Sequence, residues 1–299
     1  MTNTHTHLSR SWDQHMDPAH LRDMARHVWG EESQAMMRSF RPSDSVLMRY
    51  EQNILECDRA IRGHRVMDLG CNHGLWSYCA MRHGASHVLG VEPRGMFVRG
   101  LNSFAQQHSL PMQFQRGHDT DVARLIREHD IDTVMLMSVD DITQWESMMW
   151  DIRRSGVTWV IMQNSAVPDA WLQFDREVYD HAESSGLGMP VGFTLHYESH
   201  NSDTRSGINP LHRDLADPDT GYQHLDHDGA LDLQSSRVFL SKKSLAYIRR
   251  FIDHAGFTIE RSLSQSQAVR ASGGDPSRNT KGASASHGMY QWYLLRNDR

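Results

Sequence analysis

The sequence predicts an α/β fold: a doubly wound, seven-stranded, mostly parallel sheet, preceded by helices and carrying a long insertion after the fifth strand. Three observations lead there. Residues 65–93, RVMDLGCNHGLWSYCAMRHGASHVLGVEP, read as strand, glycine turn, helix and second strand in immediate succession. Residues 131–139, IDTVMLMSV, form an almost unbroken apolar run with the β-branched content of a central strand buried on both faces. Stretches of strand length and helix length alternate from residue 65 to 162 and resume near residue 239.

Taken in order, residues 1–15 are polar with alternating Thr and His and are expected to be a disordered tail. Asp17-Pro18 opens a helix reaching Trp29, with Asp17 as cap and Pro18 in the first turn. A second helix over 45–61 places Val46, Leu47, Tyr50, Ile54 and Ile61 near helical spacing, so 16–62 is an N-terminal helical segment ahead of a core domain at 63–299. In that core, Val66, Met67 and Leu69 make the first strand, with Asp68 as a polar group near its carboxyl end. A helix over 75–83 is stopped by Gly84, and a strand over 88–91 carries Glu92 at its tip. Helix 95–108, strand 112–115, the turn Arg116-Gly117-His118-Asp119, helix 122–129, strand 131–139, helix 142–155 and strand 157–162 follow. The insertion 165–236 holds one helix (169–183), one strand (192–197) and then polar text. A helix ending at His254, a strand over 257–263, a loop over 264–288 and a last strand over 289–296 complete the core, with Tyr290, Trp292 and Leu294 on one side of that last strand.

With 299 residues the chain allows one large domain, or one domain with a sizeable insertion. No window approaches the roughly 18 apolar residues of a membrane helix, and MTNTHTHLSR lacks the apolar core of a signal peptide, so neither a membrane partner nor export is expected. Cys57, Cys71 and Cys79 form no C-x-x-C pair and leave an odd one, as for reduced thiols in a cytoplasm. The net charge is −6 and no basic run exceeds the pairs Arg153-Arg154, Lys242-Lys243 and Arg249-Arg250, which speaks against long DNA but not against a structured RNA or a single nucleotide.

The chemistry concentrates in 65–93. Gly70 and Gly74 let the backbone turn tightly and let a ligand approach the main chain, and the N–H groups opening the next helix favour electron-rich ligand atoms. Glu92, about 20 residues past that turn, is placed to accept hydrogen bonds from both hydroxyls of a ribose. A nicotinamide fingerprint would need G-x-G-x-x-G, and from Gly70 the second and third glycine positions hold Asn72 and Leu75. The run Asp68-Leu-Gly70-Cys-Asn-His-Gly74, followed by Gly90-Val-Glu92-Pro93, resembles motif I and the acidic ribose-binding motif of class I S-adenosylmethionine-dependent methyltransferases. The resemblance implies the Rossmann-like methyltransferase fold with strand order 3-2-1-4-5-7-6, S-adenosyl-L-methionine as cofactor, and methyl transfer to an O or N nucleophile of a small molecule or of an accessible group on a larger one. It implies cofactor contacts from Asp68, Gly70, Cys71, Asn72, Gly74 and Glu92, with Asp119 as the group meeting the adenine amine and Ser138 at the end of the fourth strand. It also implies that the N-terminal helices pack over the cofactor cleft.

The acceptor is less legible. The fourth strand ends in Ser138-Val-Asp140-Asp141 and not in the Asn/Asp-Pro-Pro-aromatic turn of exocyclic-amine methyltransferases, and no Pro-Cys dipeptide of the cytosine-C5 enzymes occurs. Asp140, Asp141 and Asn164 stand where metal-assisted O-methyltransferases hold magnesium, but Gln163-Asn164 replaces the usual Asp-Asn pair, so no metal is expected. The pairs His196-x-x-x-His200 and His224-x-x-His227 have metal-ligand spacing, yet the insertion has no cysteine and the chain carries 20 histidines. His196, His212 and Asp140 are the candidate general bases. Both the insertion 165–236 and the loop 264–288 follow parallel strands and are expected on the cofactor side, as a substrate lid and a flexible rim. Gly90-Val-Glu-Pro-Arg-Gly-Met-Phe97 also resembles the second-strand region of a transfer-RNA wobble-uridine modification family, which leaves an RNA-directed enzyme as an alternative. A non-catalytic cofactor-binding module is the other.

Overall fold

The computed structural model describes residues 4–30, 44–137, 145–165, 194–200, 237–243, 245–264 and 290–298. It opens with helices α1 (Thr4–His15), α2 (Pro18–Trp29) and α3 (Asp44–Tyr50), the last continuing as a π-helical turn, Glu51–Leu55, into the short α4 (Asp58–Ile61). The core then runs β1 (Arg65–Leu69), α5 (Leu75–Arg82), β2 (His87–Glu92), α6 (Gly95–Gln107), β3 (Met112–Arg116), α7 (Val122–Glu128), β4 (Thr133–Met137), α8 (Trp145–Ser155) and β5 (Trp159–Ser165). Strands β6 (Thr194–His200) and β7 (Arg237–Lys243) come next, then α9 (Leu245–His254), β8 (Thr258–Ser264) and β9 (Tyr290–Arg296).

Seven strands form one sheet in the order β3-β2-β1-β4-β5-β9-β8. β9 runs antiparallel to both neighbours and the other six strands are parallel to one another. With β8 and β9 as sixth and seventh strands of the core, this is the expected 3-2-1-4-5-7-6. The remaining strands, β6 and β7, pair antiparallel in a separate two-stranded ribbon, so the insertion contributes a strand at 194–200, near the expected one.

Period-two alternation sends side chains to two apolar layers. Val66, Val88, Phe114, Met135, Ile161, Trp292 and Leu294 pack with the N-terminal helices, α5 and α6. Met67, Leu89, Val134, Val160, Tyr293 and Leu295 pack with α7, α8 and α9. Trp292 and Leu294 therefore share a side, as their spacing predicts.

Residues 4–15 are helical, which corrects the expectation of a disordered tail over 1–15. Trp12 and Met16, one helical turn apart, are 3% exposed, and Trp12 meets Tyr50 edge-on with ring centroids 5.1 Å apart. Two large apolar side chains at that spacing outweigh the polar composition around them. The start of α2 follows expectation, with Asp17 accepting from the Ala19 N–H at 2.8 Å. The second predicted helix, 45–61, is interrupted by its π-helical turn, within which Gln52, Asn53 and Ile54 are buried. An extra residue in the turn rotates the following side chains, so Asn53 faces the sheet and donates weakly to Gln163 Oε1 at 3.4 Å. The helix 169–183, most of the proposed lid and the loop 265–288 lie outside the described residues.

Candidate functional site

The carboxyl ends of the parallel strands line up. Leu69 is level with Val91 and Leu136, Glu92 with Arg116, and Met137 with Gln163. The groups singled out in 65–93 thus gather at one edge of the sheet, the position at which open α/β sheets bind ligands. β5 and β8 end on this same side, so both long connections leave from the edge that carries Glu92.

The turn after β1 is built by three residues with positive φ: Gly70 at 72°, Asn72 at 52° and Gly74 at 77°. Gly74 is required twice over, since a Cβ there would also lie 2.7 Å from Leu101 Cδ2. The Gly70 and Cys71 N–H groups both donate to the Val91 carbonyl, at 2.8 and 3.0 Å, which ties the turn to β2. The Asn72 N–H donates to Glu92 Oε2 at 2.9 Å, so the acid at the tip of β2 closes the turn from its far side. Glu92 is 2% exposed. Its Oε1 accepts from Arg94 Nε at 2.5 Å and from the Arg94 N–H at 3.3 Å, and Arg94 Nη2 donates onward to Asn72 Oδ1 at 3.0 Å.

Asp68 is fully buried; its Oδ2 accepts from Ser77 Oγ at 2.7 Å, while Oδ1 has no partner. Burial, with the Glu92 charge adding to it, pushes its carboxyl up to about 6 against the opposing hydrogen bonds from Ser77. A carboxyl raised this way stabilises the fold fully only below its ordinary value of 3.8, and that contribution is lost as pH rises through about 6. Asp68→Asn removes the titration. The stability of the wild type relative to this variant is therefore expected to fall by on the order of 3 kcal/mol between pH 4 and pH 7, read from urea unfolding at both pH values. A pH-independent difference would contradict the assigned burial. Burial also lowers His73 to about 4, helped by the charges of Arg94 and Arg49, so it is a neutral imidazole near pH 7. Burial raises the Cys71 thiol well above its ordinary range, which makes it a packing residue and not a nucleophile.

Opposite the turn, Arg49 on α3 donates from Nε to Gln163 Oε1 at 2.8 Å, and its guanidinium lies 5.0 Å from the centre of the Trp76 ring. The N-terminal helices thereby reach across from the turn to the end of β5. Asp119 begins a 3-10 turn, Asp119–Asp121, at the end of β3, half-buried. The capping role beside it falls to Asp121, which accepts from the His118 N–H at 3.0 Å and from Arg124.

The structure brings together Asp68, Gly70, Cys71, Asn72, Gly74 and Glu92, and sets Asp119 at the neighbouring strand end. Ser138, Asp140 and His212 lie outside the described residues; His196 falls in β6, its side chain undescribed. Sequence reasoning missed Ser77, Arg94, Arg49 and Gln163. Ser77 stands in the first turn of the helix after Gly74 and Arg94 two residues after Glu92, so both had a local signal; Arg49 and Gln163 meet across 114 residues and had none. Among the described residues, no group of three or more His, Cys, Asp or Glu side chains could hold a metal ion, and no helix is long and apolar enough to cross a membrane.

The sheet order and the position of the glycine turn define the class I, Rossmann-like methyltransferase fold. Comparison with known proteins agrees. A geranyl diphosphate methyltransferase in complex with S-adenosylmethionine is similar with a TM-score of 0.51 and 7% identity, over 85% of this chain and 86% of that one. An S-adenosylmethionine-dependent methyltransferase from Mesorhizobium loti gives 0.47 and 12% over 83% and 97%, respectively. Magnesium protoporphyrin IX methyltransferase from Synechocystis PCC 6803, with bound S-adenosylhomocysteine, gives 0.46 and 14% over 94% and 100%. No protein-family model and no curated protein sequence matches the chain. At 7% identity the first of these likenesses bears on the fold alone, and the reaction has to be argued from the site.

Proposed function

We propose that the chain is an S-adenosylmethionine-dependent methyltransferase that moves a methyl group to an O or N nucleophile of a small molecule or of an accessible group on a larger one. The observation that carries this reading is the closed pairing of Glu92 with the left-handed turn Gly70–Gly74, through the Asn72 N–H, at the carboxyl edge of β1 and β2. The residues fit the donor. Glu92 is a buried acceptor for ribose hydroxyls, the turn admits a ligand close to its backbone, and the unpartnered Asp68 Oδ1 suits a ligand or water that brings a hydrogen-bond donor. When bound, S-adenosylmethionine supplies a methyl made electrophilic by its sulfonium.

What the chain contributes is position and dryness. Glu92 and Asn72 fix the sugar end, the turn and Asp68 bound the amino-acid end, and α3 with Arg49 and Trp76 helps to shield the cleft from water. The proton of a hydroxyl or ammonium acceptor goes to a general base, for which His196, His212 and Asp140 are the candidates. β5 and β8 end at this edge, the side on which open α/β sheets bind their ligands.

Calorimetric titration with S-adenosylmethionine and S-adenosylhomocysteine, followed by transfer of tritiated methyl to cell-extract fractions, tests the proposal. Binding with labelled product supports it, and prior ribonuclease or protease treatment of the fractions identifies the acceptor class. Binding without product in any fraction would leave a cofactor-binding module; no binding sinks the donor reading itself.

A further inference from the structure

We propose that Arg94 is a latch on the ribose acid: its guanidinium competes with the vicinal diol of an adenosine-type ligand for Glu92, so that ligand entry is an exchange of partners. The inference rests on the donor reading above and adds a residue that sets how tightly the donor is held.

It follows from counting acceptor positions. A carboxylate offers about four lone-pair sites, two on each oxygen. On Glu92, Oε1 accepts from both the Arg94 N–H and Arg94 Nε, and Oε2 accepts from the Asn72 N–H. One site is left, on Oε2. A ribose that donates from both hydroxyls needs one on each oxygen, and the second becomes available when Arg94 Nε leaves Oε1. Arg94 is well held where it is: Nη2 donates to Asn72 Oδ1 at 3.0 Å, Cζ lies 4.0 Å from the centre of the Phe97 ring, and its side chain is 16% exposed. The same triangle explains why a residue is needed there at all. Glu92 is buried, and a buried carboxylate without a counter-charge is strongly disfavoured. A neutral diol brings hydrogen bonds but no charge, so the guanidinium pivots over Phe97 and stays near the acid after the exchange. Apparent affinity is then the intrinsic affinity reduced by the fraction of molecules in which Nε has let go.

Arg94→Lys tests this, because it keeps an unbranched stem over Phe97 and a positive charge near Glu92 while it deletes the competing Nε donor. By calorimetry, S-adenosylhomocysteine is expected to bind the variant about tenfold tighter than the wild type. Methionine and 2′,3′-dideoxyadenosine, which bring no diol, are expected to bind both proteins within about twofold. Thermal unfolding reports whether the variant is folded. Arg94→Met deletes the charge as well, and carries the test if the Lys variant does not fold; because Glu92 then lacks its counter-charge, the gain is expected to be smaller, about threefold, with the same ligand pattern. Equal or weaker binding of S-adenosylhomocysteine to the variants, or an equal gain for the dideoxy ligand, overturns the latch while leaving the donor reading in place. If S-adenosylhomocysteine binds neither wild type nor variants, both fall.

Discussion

Replacing Glu92 by Ala is expected to weaken S-adenosylmethionine and S-adenosylhomocysteine binding by about 100-fold or more, because hydrogen bonds to a charged group contribute roughly 1.5–3 kcal/mol each and the acid can accept from two hydroxyls. The fold should suffer less than the site. Loss of the carboxylate orphans the Asn72 N–H, worth about 1–3 kcal/mol, whereas Arg94 keeps its hydrogen bond to Asn72 Oδ1 and its place over Phe97. Glu92→Gln keeps the shape and one acceptor oxygen and should fall between the two. Calorimetry on variants shown to be folded decides it: unchanged donor affinity in Glu92→Ala would remove the central observation behind the proposed function.

The second large effect is structural. Gly100→Ala is expected to destabilise the chain by about 3 kcal/mol, the upper end of ordinary overpacking. A Cβ on Gly100 would lie 2.2 Å from the His27 carbonyl oxygen and 2.8 Å from its carbon. Backbone stands against backbone there, so no side chain can rotate away and α2 as a whole must shift off α6. Leu21, Met24 and Val28, each 2–3% exposed, are what that shift would uncover. Other hydrogen bonds that α2 makes, His20 to Tyr78 of α5 at 3.1 Å and Asp23 to His108 at the end of α6 at 2.7 Å, would go with it. The melting temperature should drop by roughly 5–10 °C, with faster amide exchange over α2 than over β1 or β4. An unchanged melting temperature would show that the two helices do not pack this closely in solution.

Both predictions turn on close approaches, one of which the sequence announced and the other of which it did not. Glu92 was legible because its role depends on local order: a strand tip a fixed distance past a glycine turn, in a βαβ unit whose handedness and spacing leave little choice of position. Gly100 read as an unremarkable residue within a helix, since nothing in 95–108 says that the carbonyl of His27 arrives there. The same division runs through the N-terminal segment. Asp17-Pro18 signalled its helix through the first turn alone, but Thr4–His15 was misjudged because its helicity depends on Trp12 and Met16 finding Tyr50 and Cys79, and a polar composition carries no trace of those partners.

By itself, then, the sequence determined the βαβ rhythm, the sheet's strand order through the resemblance of 65–93, the two faces of β9, and the acid and glycines that define the candidate donor site. These depend on periodicity and on backbone conformations that few residues tolerate, both of which are written locally. Only the tertiary structure decided that Arg94 sits on Glu92, that Asp68 keeps an unpartnered oxygen in a fully buried position, and that Arg49 spans from the motif's helix to Gln163 on β5. Such pairings join groups far apart in the chain, or choose among several rotamers and partners within reach. Which is chosen follows from burial and from the need to satisfy every buried charge and donor at once, a condition of the packed whole.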